Sequence, residues 1–140
     1  RLYFANETGD ALTEVSGNVI YNSNISMEQQ VVEELIKGPR QDDIAGYEAG
    51  YPTVNPAVTI LSVTVRDRVC YVNLSEEFLT PVYDVTSQVA LYSIVNSLVE
   101  LPGVNKVQIS IDGNTDVTFR DSVSLTTVFE RDLDIIEENE

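Results

Sequence analysis

The sequence predicts an α+β fold in which two helices lie on one face of a sheet, in the order helix, strand, strand, helix, strand. Three observations lead there. A chain of 140 residues with 43% hydrophobic content can bury a core of its own. Residues 25–40 and 85–104 carry apolar side chains at helical spacing, whereas residues 60–75 and 106–113 alternate with a period of two. The core implied by these stretches runs from about residue 26 to 112, inside one domain spanning residues 1–130.

The first helix is read in "ISMEQQVVEELIKGPR". Ser26 and Gln29 have capping-box spacing, Met27, Val31 and Leu35 share a face, and Gly38 with Pro39 ends the run. The next element is a hairpin in "ILSVTVRDRVCYVNLS". A two-residue turn at Asp67 and Arg68 pairs Val65 with Cys70, Val63 with Val72 and Leu61 with Leu74, and all six are expected on the inner face. Ser62, Thr64, Arg66 and Asn73 take the outer face. Asp-Arg is a poor hairpin dipeptide beside Asn-Gly, which leaves the turn type open.

The second helix is read in "VTSQVALYSIVNSLVELPGV", with Thr86 or Ser87 as cap. Its stripe is Val89, Leu91, Ile94, Val95, Leu98 and Leu101, and Pro102 with Gly103 stops it. A last core strand alternates Val107, Ile109 and Ile111 with Gln108, Ser110 and Asp112. "LYFA" and "NVIY" before the core, and "VTF" and "VSLTTVF" after it, read as flanking strands. Residues 38–59 form a long loop without a usable period, and the acidic residues 131–140 read as a frayed tail.

Charge narrows the partners. With 23 acidic and 8 basic residues the formal net charge is −15, which repels nucleic-acid phosphates and anionic lipid heads. Basic proteins and divalent cations are left. No stretch reaches the roughly 20 apolar residues that cross a bilayer. The chain begins at Arg1 with no signal-like region after it, so it is read as a mature or trimmed fragment. One cysteine forms no internal disulfide, and no histidine is present to serve as base or ligand.

Four blocks carry a family resemblance: "LYFAN", "VVEELIKGP", "LSVTVRDRVCYVNLSEEF" and "LYSIVNSLVELPGVNKVQISIDG". In this order and spacing, from about residue 2 to 113, they resemble the GerMN domain of bacterial sporulation and spore germination. The resemblance implies an extracytoplasmic domain carried on a lipoprotein or another membrane-anchored protein. It also implies a fold like the ring-building motif of proteins that form the channel between mother cell and forespore. It transfers no catalytic residue.

The residues that look most like chemistry also suit structural roles. Ser75, Glu76 and Glu77 suit the start of a short helical turn, because carboxylates favour free amide N–H groups. As a nucleophile Ser75 would need Lys37 or Lys106 for a base, and neither has that context. Adjacent acids do not span a glycosidase cleft. Asp112, Asn114 and Asp116 have the spacing of the first calcium-loop ligands, but Val117 and Val123 stand where the template needs glycine and glutamate, so a polar turn is expected. Cys70 is expected as a buried core thiol, and Asn96 as a partner for a neighbouring loop. The Asn-X-Ser/Thr matches at Asn6, Asn24 and Asn73 are read as coincidental.

The expected function is a non-enzymatic interaction module of an envelope or sporulation protein, without metal or cofactor, and monomeric in isolation because like-charged copies repel. Tyr47, Glu48 and Tyr51 of the long loop are the expected contact residues, since tyrosine offers large area at low entropic cost. The alternative is a binder of cell-wall carbohydrate or peptide, with the loop as one wall of a groove.

Overall fold

The computed structural model describes residues 2–15, 23–39, 50–120 and 123–137. The expected strand "NVIY" and most of the loop at 40–49, including Tyr47 and Glu48, lie outside the described residues.

The predicted helix–strand–strand–helix–strand order is present as α1 (Met27–Lys37), β3 (Ile60–Arg66), β4 (Val69–Leu74), α2 (Ser87–Leu98) and β5 (Lys106–Ile111). Ahead of it, β1 (Leu2–Ala5) and β2 (Leu12–Val15) form an antiparallel ribbon; after it, β6 (Thr118–Phe119) pairs with β7 (Val123–Ser124). The central sheet has the order β3-β4-β5, antiparallel between β3 and β4 and parallel between β4 and β5. A parallel pair needs a crossover, and α2 supplies it.

Both helices begin as the sequence implies. Ser26 Oγ accepts from Gln29 N at 3.1 Å, and Thr86 Oγ1 accepts from Val89 N at 3.1 Å. The reciprocal half of the capping box is not made, because the Gln29 side chain donates to Glu33 at 3.2 Å instead. The buried face of α1 carries Gln30, Val32 and Leu35, and Met27 is 43% exposed, so the inner stripe is rotated by one residue from the expected one.

The hairpin register holds for Val65 with Cys70 and Val63 with Val72. Asp67 and Arg68 have φ of 53° and 66°, which fits a type I′ turn. Arg68 tolerates this because its carbonyl accepts from Asn105 N at 2.8 Å and its guanidinium donates to Pro102 O at 3.0 Å, tying the turn to the entry of β5. The third pair differs. A bulge between Ile60 and Ser62 sets Ile60 opposite Leu74 and leaves Leu61 47% exposed. Val65, opposite a buried Cys70, is still 40% exposed, because β3 is an edge strand.

The core lies between this sheet and the helices. Val72, Leu74, Val107 and Ile109 meet Leu35, Leu91, Ile94 and Leu98, with Phe78 and Phe119 closing one end. The other side of α2 is covered by β1, and the contact is polar at its centre: Ser93 Oγ donates to Tyr3 O at 2.6 Å, and Tyr3 N donates to Ser97 Oγ at 2.9 Å. Two buried serines one turn apart thus satisfy both backbone groups of a strand residue.

Residues 131–137 of the acidic tail, expected to fray, run beside β2. Leu12 N donates to Ile135 O at 2.8 Å, and Ile135 and Ile136 pack on the small cluster of Tyr3, Ala5, Leu12 and Val89. Asn96 Nδ2 donates to Asp132 O at 3.0 Å, and its Oδ1 accepts from Asp132 N at 2.9 Å. Asn96 is therefore the bolt for a neighbouring segment that its place in the stripe suggests.

Candidate interaction surface

Ser75, Glu76 and Glu77 open a single 3-10 turn, Glu76–Leu79, immediately after β4. Ser75 Oγ accepts from Thr59 N at 2.8 Å and hydrogen-bonds the Glu77 carboxylate, holding that carboxyl below the usual range. The hydroxyl joins the end of β4 to the start of β3. Asn55 locks the turn from the loop side, its Nδ2 donating to Glu77 O at 3.0 Å and Thr80 O at 3.1 Å. Glu76 and Glu77 face solvent, and the buried member is Phe78. The geometry gives the cluster a structural task, the delivery of Phe78 to the core.

The Asp112–Asp116 segment is a polar turn. Asp112 has φ of 51°, Ile111 N and O both bond Asn114 at 2.9 Å, and Asn114 Oδ1 accepts from Asp116 N at 2.9 Å. Among the described residues no group of three or more Asp, Glu or Cys side chains is gathered around a common point.

Cys70 is fully buried, and burial pushes its thiol from 9.0 up to about 12. Burial, aided by the 2.9 Å bond to Glu100, also pushes the Tyr3 phenol from 10.0 up to about 12. Between the ordinary and raised values the folded state keeps protons that the unfolded chain has released. The stabilisation is complete below about pH 9 and is lost as pH climbs towards 12. Urea midpoints measured from pH 8 to 11 should fall steadily above pH 9, and Cys70→Val should make the fall shallower; a flat profile would show that neither proton is held by the fold.

Of the three expected contact residues, Tyr51 is the one described. Its N donates to Ala5 O at 2.9 Å, and Thr53 Oγ1 bridges Tyr51 O and Ala5 N at 2.8 Å each, fixing the backbone while 48% of the residue stays exposed. Gly50 permits the approach, since a Cβ there would stand 2.3 Å from Phe4 Cβ.

A second exposed feature was not read from the sequence. The outer edge of β3 carries Leu61 and Val65, and beside it Gln29, Glu33, Ile36 and Lys37 of α1 meet Val58 and Ile60 around an open groove of about 320 Å³. Alternating valines read as core whether a strand is central or at an edge, so only the tertiary arrangement reveals this surface.

These features define an α+β module with an exposed sheet edge and a tyrosine-bearing loop anchored to its β1 ribbon. The chain belongs to the Germane family, described as "Sporulation and spore germination", whose model matches residues 1–117. Among solved structures it is similar to the tandem GerMN domains of the sporulation protein GerM from Bacillus subtilis. That match has a TM-score of 0.70 at 21% identity and covers 94% of this chain and 44% of the other, so the chain spans less than half of the tandem protein. A candidate lipoprotein from Clostridium perfringens matches with a TM-score of 0.61 at 24% identity, covering 92% and 84% of the two chains. The first GerMN domain of the Bacillus subtilis protein matches with a TM-score of 0.58 at 15% identity, over 74% of this chain and 77% of that one. At these identities the structures establish a shared fold. No curated protein matches the chain. Among the described residues no helix is long and apolar enough to cross a membrane.

Proposed function

We propose that the chain is a non-enzymatic, extracytoplasmic protein-interaction module of a membrane-anchored bacterial envelope protein, serving sporulation or spore germination. Membership of the Germane family is the observation that carries this reading. The likeness to a candidate lipoprotein supports the compartment, and the engagement of Ser75 and Asn96 in structural bonds supports a binding rather than a chemical task. The contact residues are Tyr51 with the neighbouring Tyr47 and Glu48, and a net charge of −15 favours a basic partner and a monomer in isolation.

The test is photo-crosslinking in living cells from a benzoylphenylalanine placed at Tyr51 of the membrane-anchored protein. A discrete adduct with another envelope protein is the expected outcome. Absence of an adduct, combined with chemical-shift changes around Tyr51 on titration with muropeptides, would overturn the reading in favour of a cell-wall ligand.

A further inference from the structure

We propose that the outer edge of β3 and the groove between it and α1 dock an extended, positively charged segment of another protein, which joins the sheet as a fourth strand. This rests on the reading of the chain as an interaction module and gives that module a binding mode. Three observations carry it.

The first is an unequal treatment of the two sheet edges. Beyond β5, Val107 and Phe129 exchange backbone bonds of 2.9 and 2.7 Å, so that edge is capped. Among the described residues nothing pairs with the outer side of β3. The hairpin register fixes which groups are on offer. In a two-residue hairpin the flanking pair, here Arg66 and Val69, exchanges both ladder bonds, so alternation turns the N–H and C=O of Val65 and Val63 outward. The bulge at Leu61 restricts the free ladder to Ser62–Arg66.

The second is the groove alongside. Val58 and Ile60 form an apolar floor, with Ile36 beside them and Gln29, Glu33 and Lys37 at the rim. At about 320 Å³ and open to solvent it falls at the low end of small-ligand sites, which enclose most of their ligand. It suits one apolar side chain of a strand whose backbone is held elsewhere. Edge addition works in this way: main-chain bonds give affinity and pockets for alternate side chains give selectivity.

The third is charge. A second copy of this chain brings another −15, whereas a cationic segment is drawn in by the field and meets Glu33 at the groove rim, where Lys37 is paired with Glu34 at 3.3 Å and the guanidinium of Arg66 is drawn over the Tyr71 ring.

Isotopically labelled protein is titrated at physiological salt with two synthetic hexapeptides, one alternating valine with lysine and one alternating valine with glutamate. The lysine peptide should shift the amides of Ser62–Arg66 and of α1 around Glu33 and Lys37, slow exchange at Val63 and Val65 by about tenfold, and leave the rest of the chain unmoved. The glutamate peptide should do none of this. Val65→Pro deletes an N–H that points away from β4, so the fold should survive and the response vanish. Val65→Lys, which keeps the backbone donor but repels a cation, should bind about twofold to fivefold more weakly. Equal responses to both peptides, shifts centred elsewhere, unchanged binding by both variants, or concentration-dependent shifts of the same amides without peptide would each overturn the proposal. If crosslinking from Tyr51 to an envelope protein persists in Val65→Pro, the interaction module stands and the strand-addition mode falls.

Discussion

Phe78→Ala lowers the free energy of unfolding by about 3–5 kcal/mol, the range for truncating a buried phenylalanine. The ring is fully buried, and its centroid lies 4.7 Å from that of Phe119 in a stacked arrangement. It is held there by a one-turn helix whose two ends are fastened by Ser75 and Asn55, so neighbouring side chains have little freedom to collapse into the cavity. Phe119 belongs to a two-residue strand and loses its stacking partner at the same time. Urea denaturation measures the effect: the midpoint should drop with the slope unchanged. Phe78→Leu should cost about 1–2 kcal/mol, since it restores much of the volume. A loss under about 1 kcal/mol for the alanine variant would mean that the turn after β4 does not belong to the core, and the structural account of Ser75, Glu76 and Glu77 would fall with it.

Gly9→Ala should cost about 2–4 kcal/mol through two separable causes. Gly9 has φ of 77°, a conformation that costs an L-residue about 1–2 kcal/mol. A Cβ there would also stand 2.0 Å from the Asp84 carbonyl oxygen, where backbone rather than a flexible side chain must give way. The approach is close because Gly9 O accepts from Thr86 N at 2.9 Å, which fastens the β1–β2 turn to the cap of α2. Asn6 Oδ1 accepts from Gly9 N at 2.9 Å and tightens the same turn. Gly113→Ala separates the causes. Its φ is 79°, but nothing lies within 4 Å of the added Cβ, so the loss should stay near 1–2 kcal/mol. In Gly9→Ala, amide exchange should accelerate first at Thr86 and Leu12, as the ribbon lifts from the helix. Equal losses at the two glycines would rule out the clash as a cause.

Elements whose determinants are local were legible. Ser26 and Thr86 cap their helices as spacing implies, the alternation at 106–111 gives β5, and Val65 and Val63 find Cys70 and Val72 across the turn. The failures share a form. Unbroken alternation points Leu61 inward, but a bulge adds a residue to one strand without leaving a mark in the pattern. Helical spacing assigns Met27 to the inner face of α1, where a rotation of one residue lets buried Gln30 in, and the direction of that face is set by α2 and β3. β2 has the sequence LTEV, too short and too mixed to announce itself, and it forms because β1 on one side and Ile136 on the other supply its partners.

The candidate surface divides in the same way. Tyr51 was visible as an aromatic residue in a polar loop, and the structure adds the backbone bonds that hold it out. The β3 edge and its groove were not visible, since a period of two tells which side chains share a face but says nothing of what stands beside the strand. Local sequence settles the α+β class, the order of the five core elements, the helix starts and the family resemblance, because capping, periodicity and turn chemistry act over a few residues. Tertiary structure alone decided that β3 is an edge, that Ser93 and Ser97 serve β1, and that residues 131–137 lie along β2. The first outcome depends on β5 joining β4 and the other two on surfaces far apart along the chain, 90 and 94 residues for the serine bonds, and pairing at such distances is settled by the shared burial of the whole core.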